Sequence, residues 1–215
     1  SLLPQILDYL HSGRTASLSF TPGPVHRLDR NTTGLIVYAK TLLGARTFSQ
    51  LLHTHALHKR YLALLSGSLD RNETWSDVLR RDYHTHTTHR AEPTSQTEPQ
   101  LQGPPQTSES GLPAETMVIP LCGNGSATLA VLEPKTGRTH QIRAQAALHG
   151  HPLAGDSKYG APATSHPYIL HAFQLAWEDP NPERVVAPLP QETAARLTRL
   201  FGAQQLDKLL RELGL

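Results

Sequence analysis

Three short runs of β-forming apolar residues, 34–39 (GLIVYA), 60–65 (RYLALL) and 127–132 (ATLAVL), limit what this chain can become. Each is short, dense in Val, Ile, Leu or Tyr, and reads as a strand. Ser66-Gly67 closes the second as a turn. Behind the first run, Leu42, Ala45, Phe48, Leu51, Leu52 and His55 recur at helical spacing, so the order there is loop, strand, helix. Residues 2–10 predict a short helix, and Ser12-Gly-Arg and Thr21-Pro-Gly-Pro break regular structure after it. Thr139 is placed to cap a helix through Ile142 and Ala146 to Leu148, with Gly150 as its stop. From Gln191, Ala194, Leu197, Leu200 and Phe201, then Leu206, Leu209, Leu210 and Leu213, form a helical apolar face interrupted near Gly202, suited to packing on a core.

At 215 residues and 38% hydrophobic, the chain fits one domain or two small lobes with a real core. The single cysteine, Cys122, cannot form an internal disulfide, and no run of about 18 apolar residues is present for a membrane span. The expectation is a reducing, cytoplasmic setting of bacterial type. The chain begins Ser1-Leu-Leu-Pro without an initiator methionine, and is expected to be a piece of something longer.

Between Asp82 and Glu115 the sequence turns to Thr, Ser, Pro, Gln and Glu with few apolar residues. Such a stretch does not offset the entropy of its own ordering, so residues 82–115 read as a flexible insertion, and deleting residues 84–112 is expected to leave the fold stable. His84, His86 and His89 lie within it without cysteines or patterned carboxylates, and read as solvated loop histidines rather than a metal cluster.

The formal net charge of +2 hides a basic half: residues 26–60 carry +5, 61–132 carry −4 and 133–160 carry +2. Arg27, Arg30, Lys40, Arg46, Lys59 and Arg60 make a cluster suited to a polyanion such as RNA, or to an ordinary solvated face. Within this half, Asp29 sits in a Pro/Gly-punctuated loop between Arg27 and Arg30, where a carboxylate can serve as a nucleophile or simply pair with arginine. His26 beside it fits an acid, a base or a structural hydrogen-bonding role. Further on, Gly137 allows a tight turn while Arg138, His140 and Arg143 offer partners for phosphate or carboxylate at a helix start. His151 and Asp156, in a turn-rich stretch, read as loop-shaping. There is no phosphate loop, dinucleotide fingerprint, paired-cysteine zinc pattern or Gly-x-Ser-x-Gly elbow, which leaves chemistry without a cofactor.

Five blocks then stand in a telling order: His26-Arg-Leu-Asp-Arg-Asn-Thr-Thr-Gly-Leu35; Lys59-Arg-Tyr-Leu-Ala63 with Gly67; Gly137-Arg-Thr-His-Gln-Ile-Arg143; Gly150-His-Pro-Leu-Ala-Gly-Asp156 with Tyr159-Gly160; and Leu170-His-Ala172. Together they resemble RNA pseudouridine synthases of the RluA type. The resemblance implies an α+β fold, with a mostly antiparallel mixed sheet in two halves, helices outside and an RNA cleft between. It implies isomerisation of a uridine in folded RNA to its C-glycoside, without metal or organic cofactor. The chain is expected to act as a monomer. Large-subunit ribosomal RNA is favoured over transfer RNA as the partner.

The same resemblance makes Asp29 the essential carboxylate, attacking the sugar or assisting glycal formation. Tyr61 would stack on the flipped base and handle a proton, Arg143 would hold Asp29 in an ion pair, and Arg27 would fill the space the uridine leaves. His26, Arg30, Lys59, Arg60, Arg138 and His140 complete the expected RNA-binding set. The family's usual Ser and His are Thr33 and Gln145 here, neither at a position assigned to chemistry. Its upstream strand with a Lys-Pro element, and the S4 domain many relatives carry, do not occur in these residues. Two rivals stay open: an RNA-binding or ribosome-assembly protein without catalysis, and a glycoside hydrolase, which would need a second carboxylate.

Overall fold

A computed structural model describes residues 2–11, 20–91, 111–178 and 181–215. In chain order it contains α1 (Leu2–His11), β1 (Gly23–Pro24), β2 (Thr33–Gly34), β3 (Tyr38–Ala39), α2 (Leu42–His53), β4 (His58–Ser66), β5 (Glu73–Asp82), β6 (Thr87–Arg90), β7 (Leu112–Gly123) and β8 (Ala127–Pro134). Then follow α3 (Gln141–Leu148), a 3-10 turn (Ser157–Tyr159), β9 (Leu170–Trp177), β10 (Glu183–Val186), α4 (Gln191–Phe201) and α5 (Ala203–Leu213). The main sheet runs β10-β9-β4-β8-β7-β5-β6, every pair along it antiparallel, with β2 added in parallel to β9. The fold is therefore the mixed, mostly antiparallel α+β arrangement expected.

Side-chain alternation on β4 explains how the sheet is covered. Ala63 and Leu65 face a core shared with Trp75, Val118, Leu132, Ile142 and Ala146, which seats α3. Leu62 and Leu64 face the opposite core, closed by Leu197 and Phe201 of α4 and Leu206 and Leu213 of α5. Each such large aliphatic side chain contributes about 2 kcal/mol by leaving water. At the β9 end, Leu51 and Leu57 pack on Leu175, and Phe48 meets Trp177 edge-on at 5.2 Å. α3 is buried on nearly all sides, and its buried Gln145 accepts from Thr116 Oγ1 (2.7 Å) and donates to Trp75 O (2.9 Å) and Asp77 Oδ2 (2.9 Å). A polar side chain so placed must be bonded, and Gln145 is a structural cross-link.

Several expectations need correction. The strand expected over 34–39 is split: Gly34 pairs with Ala172 of β9, whereas Tyr38 and Ala39 pair with β1. The α3 cap is His140, not Thr139; the Thr139 carbonyl instead accepts from Thr88 Oγ1 at 2.8 Å. The flexible insertion over 82–115 is too broad. Thr87–Arg90 is a strand on β5, residues 112–115 belong to β7, and only the stretch 92–110 lies outside the described residues. Thr88 is buried and its N–H donates to Tyr159 Oη at 2.9 Å, so deleting 84–112 would remove a working strand.

Gly34 marks where the Asp29 loop meets the sheet. Its φ is +108°, and a Cβ there would lie 2.2 Å from the Ala172 carbonyl oxygen. Nearby, His171 Nε2–H donates to Ala187 O at 3.2 Å, leaving Nδ1 to accept from Thr33 Oγ1 at 2.8 Å. Gly34→Ala must push β2 off β9, at a cost of roughly 2 kcal/mol or more. We expect a lower Tm together with loss of activity, measured by thermal unfolding; an unchanged Tm would contradict this close packing.

Candidate active site

A cavity of about 650 Å³ opens between the loop after β1, the 136–143 turn into α3, and β4. Asp29, Tyr61 and Arg143 all line it, with Arg27, Lys59 and His140 beside them. The loop holding Asp29 is tied at both ends. Thr32 N–H donates to Asp29 O at 3.0 Å, and Val37 N–H donates to His26 Nε2 at 3.0 Å.

Arg143 is the hub. Its Nη1 reaches Asp29 Oδ2 at 3.3 Å, while Nε and Nη2 make a bidentate pair with Asp156 at 2.7 and 2.8 Å. The guanidinium lies between the rings of Tyr159 and Tyr168, 4.8 and 4.7 Å from their centroids. Burial works against its charge, but the Asp156 hydrogen bond and the surrounding negative charge hold its pKa above the ordinary arginine value. The result is a permanent, immobile cation that fixes one oxygen of Asp29.

Tyr61 comes from β4, on the same face as Ala63. Burial, then the Asp29 charge, pushes its phenol up to about 12, so it stays protonated at neutral pH and offers an aromatic face with an O–H. The other expected RNA contacts divide. Arg27 is exposed at the cavity, and Lys59 lines it with its pKa lowered by burial. Arg138 also lines the cavity, but its Nε donates to Pro113 O at 3.0 Å. Arg30 is exposed and does not line the cavity.

Arg60 departs from expectation. It pairs with Glu133 at 2.7 Å and lies over Phe173 at 5.5 Å, on the side of the sheet facing α4 and α5. Strand periodicity accounts for this, because Lys59 and Tyr61 share one face and Arg60 takes the other. His26 does reach the cavity, but its Nε2 is already an acceptor for the backbone, and burial lowers its pKa. It anchors the loop as a hydrogen-bond acceptor, the structural one of the roles open to it.

Sequence reasoning missed four participants. Asp156, buried with 2% of its side chain exposed, orients Arg143; Tyr159 and Tyr168 enclose the same guanidinium. Gln141 accepts from Thr136 Oγ1 (2.7 Å) and Arg138 N–H (3.0 Å) and donates to Glu115 O (3.0 Å), binding the 136–141 turn to β7. The signal for Asp156 and Tyr159 was present in the 150–160 block, which local composition presents only as a turn. Among the described residues no group of three His, Cys, Asp or Glu could hold a metal ion, and no helix is long and apolar enough to cross a membrane.

Known proteins share both sequence and architecture with this chain. It is 34% identical over 188 residues to ribosomal large subunit pseudouridine synthase D of Nitrosomonas europaea, covering 81% of this chain and 50% of that protein. It is 33% identical to the uncharacterized RNA pseudouridine synthase YhcT of Bacillus subtilis, covering 78% and 53%. The chain thus spans about half the length of the curated relatives it matches. Human RNA pseudouridylate synthase domain containing 1 superposes with a TM-score of 0.68 at 27% identity, covering 87% of this chain and 74% of the other. Human RNA pseudouridylate synthase domain containing 4 shares the fold at a TM-score of 0.72 and 23% identity, covering 93% and 82%. The RNA pseudouridylate synthase family matches residues 10–148, through both the Asp29 loop and the Arg143 helix, and the chain belongs to that family.

Proposed function

We propose that this chain isomerises uridine to pseudouridine in structured RNA. The observation that carries the proposal is the convergence of Asp29, Tyr61 and Arg143 on one cavity, with Arg143 held by Asp156 and so available to fix Asp29. In the reaction the N1–C1′ bond breaks and a C5–C1′ bond forms, N1 gains a proton and C5 loses one to solvent, so the base stays on the RNA. Asp29 acts at the sugar, by attack on C1′ or by assisting glycal formation. Tyr61 supplies a neutral ring on which the extruded base stacks, offsetting part of the stacking it leaves. Arg27, exposed at the cavity mouth, suits the gap in the RNA stack, and Lys59 suits a phosphate. None of these roles calls on a cofactor.

Two observations bear on the rivals. Asp29 is the only carboxylate among the described residues lining the cavity, and Asp156 is committed to Arg143, so the second carboxylate of a glycoside hydrolase is not at hand. A silent RNA binder gives no reason for a carboxylate and a buried arginine to meet inside a basic cleft. For the substrate we favour large-subunit ribosomal RNA over transfer RNA, on the names of relatives such as ribosomal large subunit pseudouridine synthases C and D. Tritium release from [5-³H]uridine-labelled ribosomal and transfer RNA tests this. Release from ribosomal RNA without free uracil is expected; release from transfer RNA alone would reverse the substrate assignment, and none from either would contradict the activity.

A further inference from the structure

His140 occupies a backbone conformation that an ordinary helix cap does not need. Its φ is +54° and ψ is 21°, in the left-handed region, and its side chain makes no cap bond to α3. For a residue with a Cβ this costs about 1 kcal/mol or more, and such strain persists only where the surroundings hold it. What holds it is Tyr159. The imidazole Nδ1 is 2.8 Å from Tyr159 Oη, and the two rings meet edge-on at 5.8 Å.

The polarity of that bond follows from the phenol's other partner. Thr88 N–H can only donate, and it donates to Tyr159 Oη at 2.9 Å, while Thr88 Oγ1–H is committed to Thr139 O. Burial raises the Tyr159 pKa, so the phenol keeps its proton; Thr88 Oγ1 and His140 Nδ1 are the acceptors within its reach, and the 2.8 Å contact to Nδ1 favours the imidazole. An Nδ1 that accepts leaves the imidazole proton on Nε2. Nε2 faces Asp29 Oδ1 at 3.8 Å, the oxygen that Arg143 does not take.

We propose that Tyr159 holds His140 in the tautomer carrying its proton on Nε2, and that this N–H aims the Asp29 carboxylate, making the His140–Tyr159 pair a positioning device for the reacting group. The role rests on Asp29 being that group, as proposed above. At 3.8 Å the contact is electrostatic and not a hydrogen bond. It biases rotation of the carboxylate without drawing off the lone pair that must act at the sugar. The charged groups facing the imidazole are Asp29 from its loop, Arg143 from α3, Arg81 from β5 and Lys158 from the 3-10 turn. Burial first, and then the three cations against Asp29, lowers the pKa of His140, in keeping with a neutral ring.

Ring-nitrogen NMR on the ¹⁵N-histidine-labelled chain reads the tautomer directly and needs no turnover. At about pH 7 the His140 proton is expected on Nε2 in the wild type, and shared between the two nitrogens in Tyr159→Phe. Activity supplies the second readout. In Tyr159→Phe about half of the neutral rings lack an Nε2–H and protonation restores it, so kcat, level in the wild type, should rise by up to about twofold as the pH falls from about 8 to about 5.5, with KM nearly unchanged. His140→Gln, whose amide can present an N–H to Asp29, should retain roughly tenfold more kcat than His140→Leu. A wild-type proton on Nδ1, a Tyr159→Phe profile parallel to the wild type, or equal kcat in the two His140 variants would overturn the proposal. A chain inactive on every RNA would sink the functional reading while the NMR result still decided the tautomer.

Discussion

Replacing Asp29 by Asn is expected to lower turnover by about 10⁴-fold or more while leaving RNA affinity within a few-fold of the wild type. The substitution is isosteric, and Arg143 keeps its bidentate pair with Asp156, so the cavity wall does not collapse. What is lost is the carboxylate charge that the proposed reaction needs at the sugar, while Lys59, the cation proposed for phosphate, stays in place. Tritium release gives the rate and filter binding gives the affinity. Full turnover in Asp29→Asn would remove this residue from the chemistry; loss of both turnover and binding would make it a contact for RNA instead.

Asp156→Ala is expected to damage stability and activity together. Arg143 and Asp156 have 8% and 2% of their side chains exposed, so the variant leaves a buried guanidinium whose remaining anion is Asp29 at 3.3 Å. Breaking a buried ion pair by removing one partner costs about 3–5 kcal/mol, which in a chain of this size lowers Tm by on the order of 10 °C. Arg143, released from its fork, can also swing onto Asp29 and draw off the charge that catalysis needs. Thermal unfolding and tritium release on the same preparation check both effects. A variant with wild-type Tm would show that the two rings enclosing Arg143 suffice to hold it.

What could be read from the sequence followed from how each element is buried. β4 and β8 are covered on both faces, so they appear as continuous apolar runs and were legible as strands. β5 is covered on one face, and its inward series Trp75, Asp77, Leu79 contains a carboxylate. Asp77 is acceptable there because Arg90, Gln145 and His149 converge on it, and no local pattern announces three partners drawn from two other elements. β6, made of Thr87, Thr88, His89 and Arg90, has no apolar signal, and is ordered by β5 on one side and by Tyr159 and Thr139 through Thr88. That is why the supposed insertion was drawn too wide.

The site divides in a similar way. Asp29, Tyr61 and Arg143 were legible because ordered motifs carry them, and the fold brings all three to one cavity. Asp156 and Tyr159 were not, since their meaning depends on the 150–160 segment folding back on α3, 13 residues from Arg143 to Asp156 and 19 from His140 to Tyr159. Arg60 was misplaced by counting charge without strand alternation. For His26 the sequence left an acid, a base or a structural hydrogen-bonding role open, and its ring accepting a backbone N–H matches the last of these.

The most direct test of the account is the nucleoside composition of an RNA digested before and after incubation with this chain. Uridine should fall and a C-glycosidic isomer of identical mass should rise by the same amount, with no free uracil and no change in the Asp29→Asn control. Uridine loss accompanied by free uracil would make the cavity a hydrolase site, and an unchanged composition in RNA shown to be bound would make it a binding cleft without chemistry.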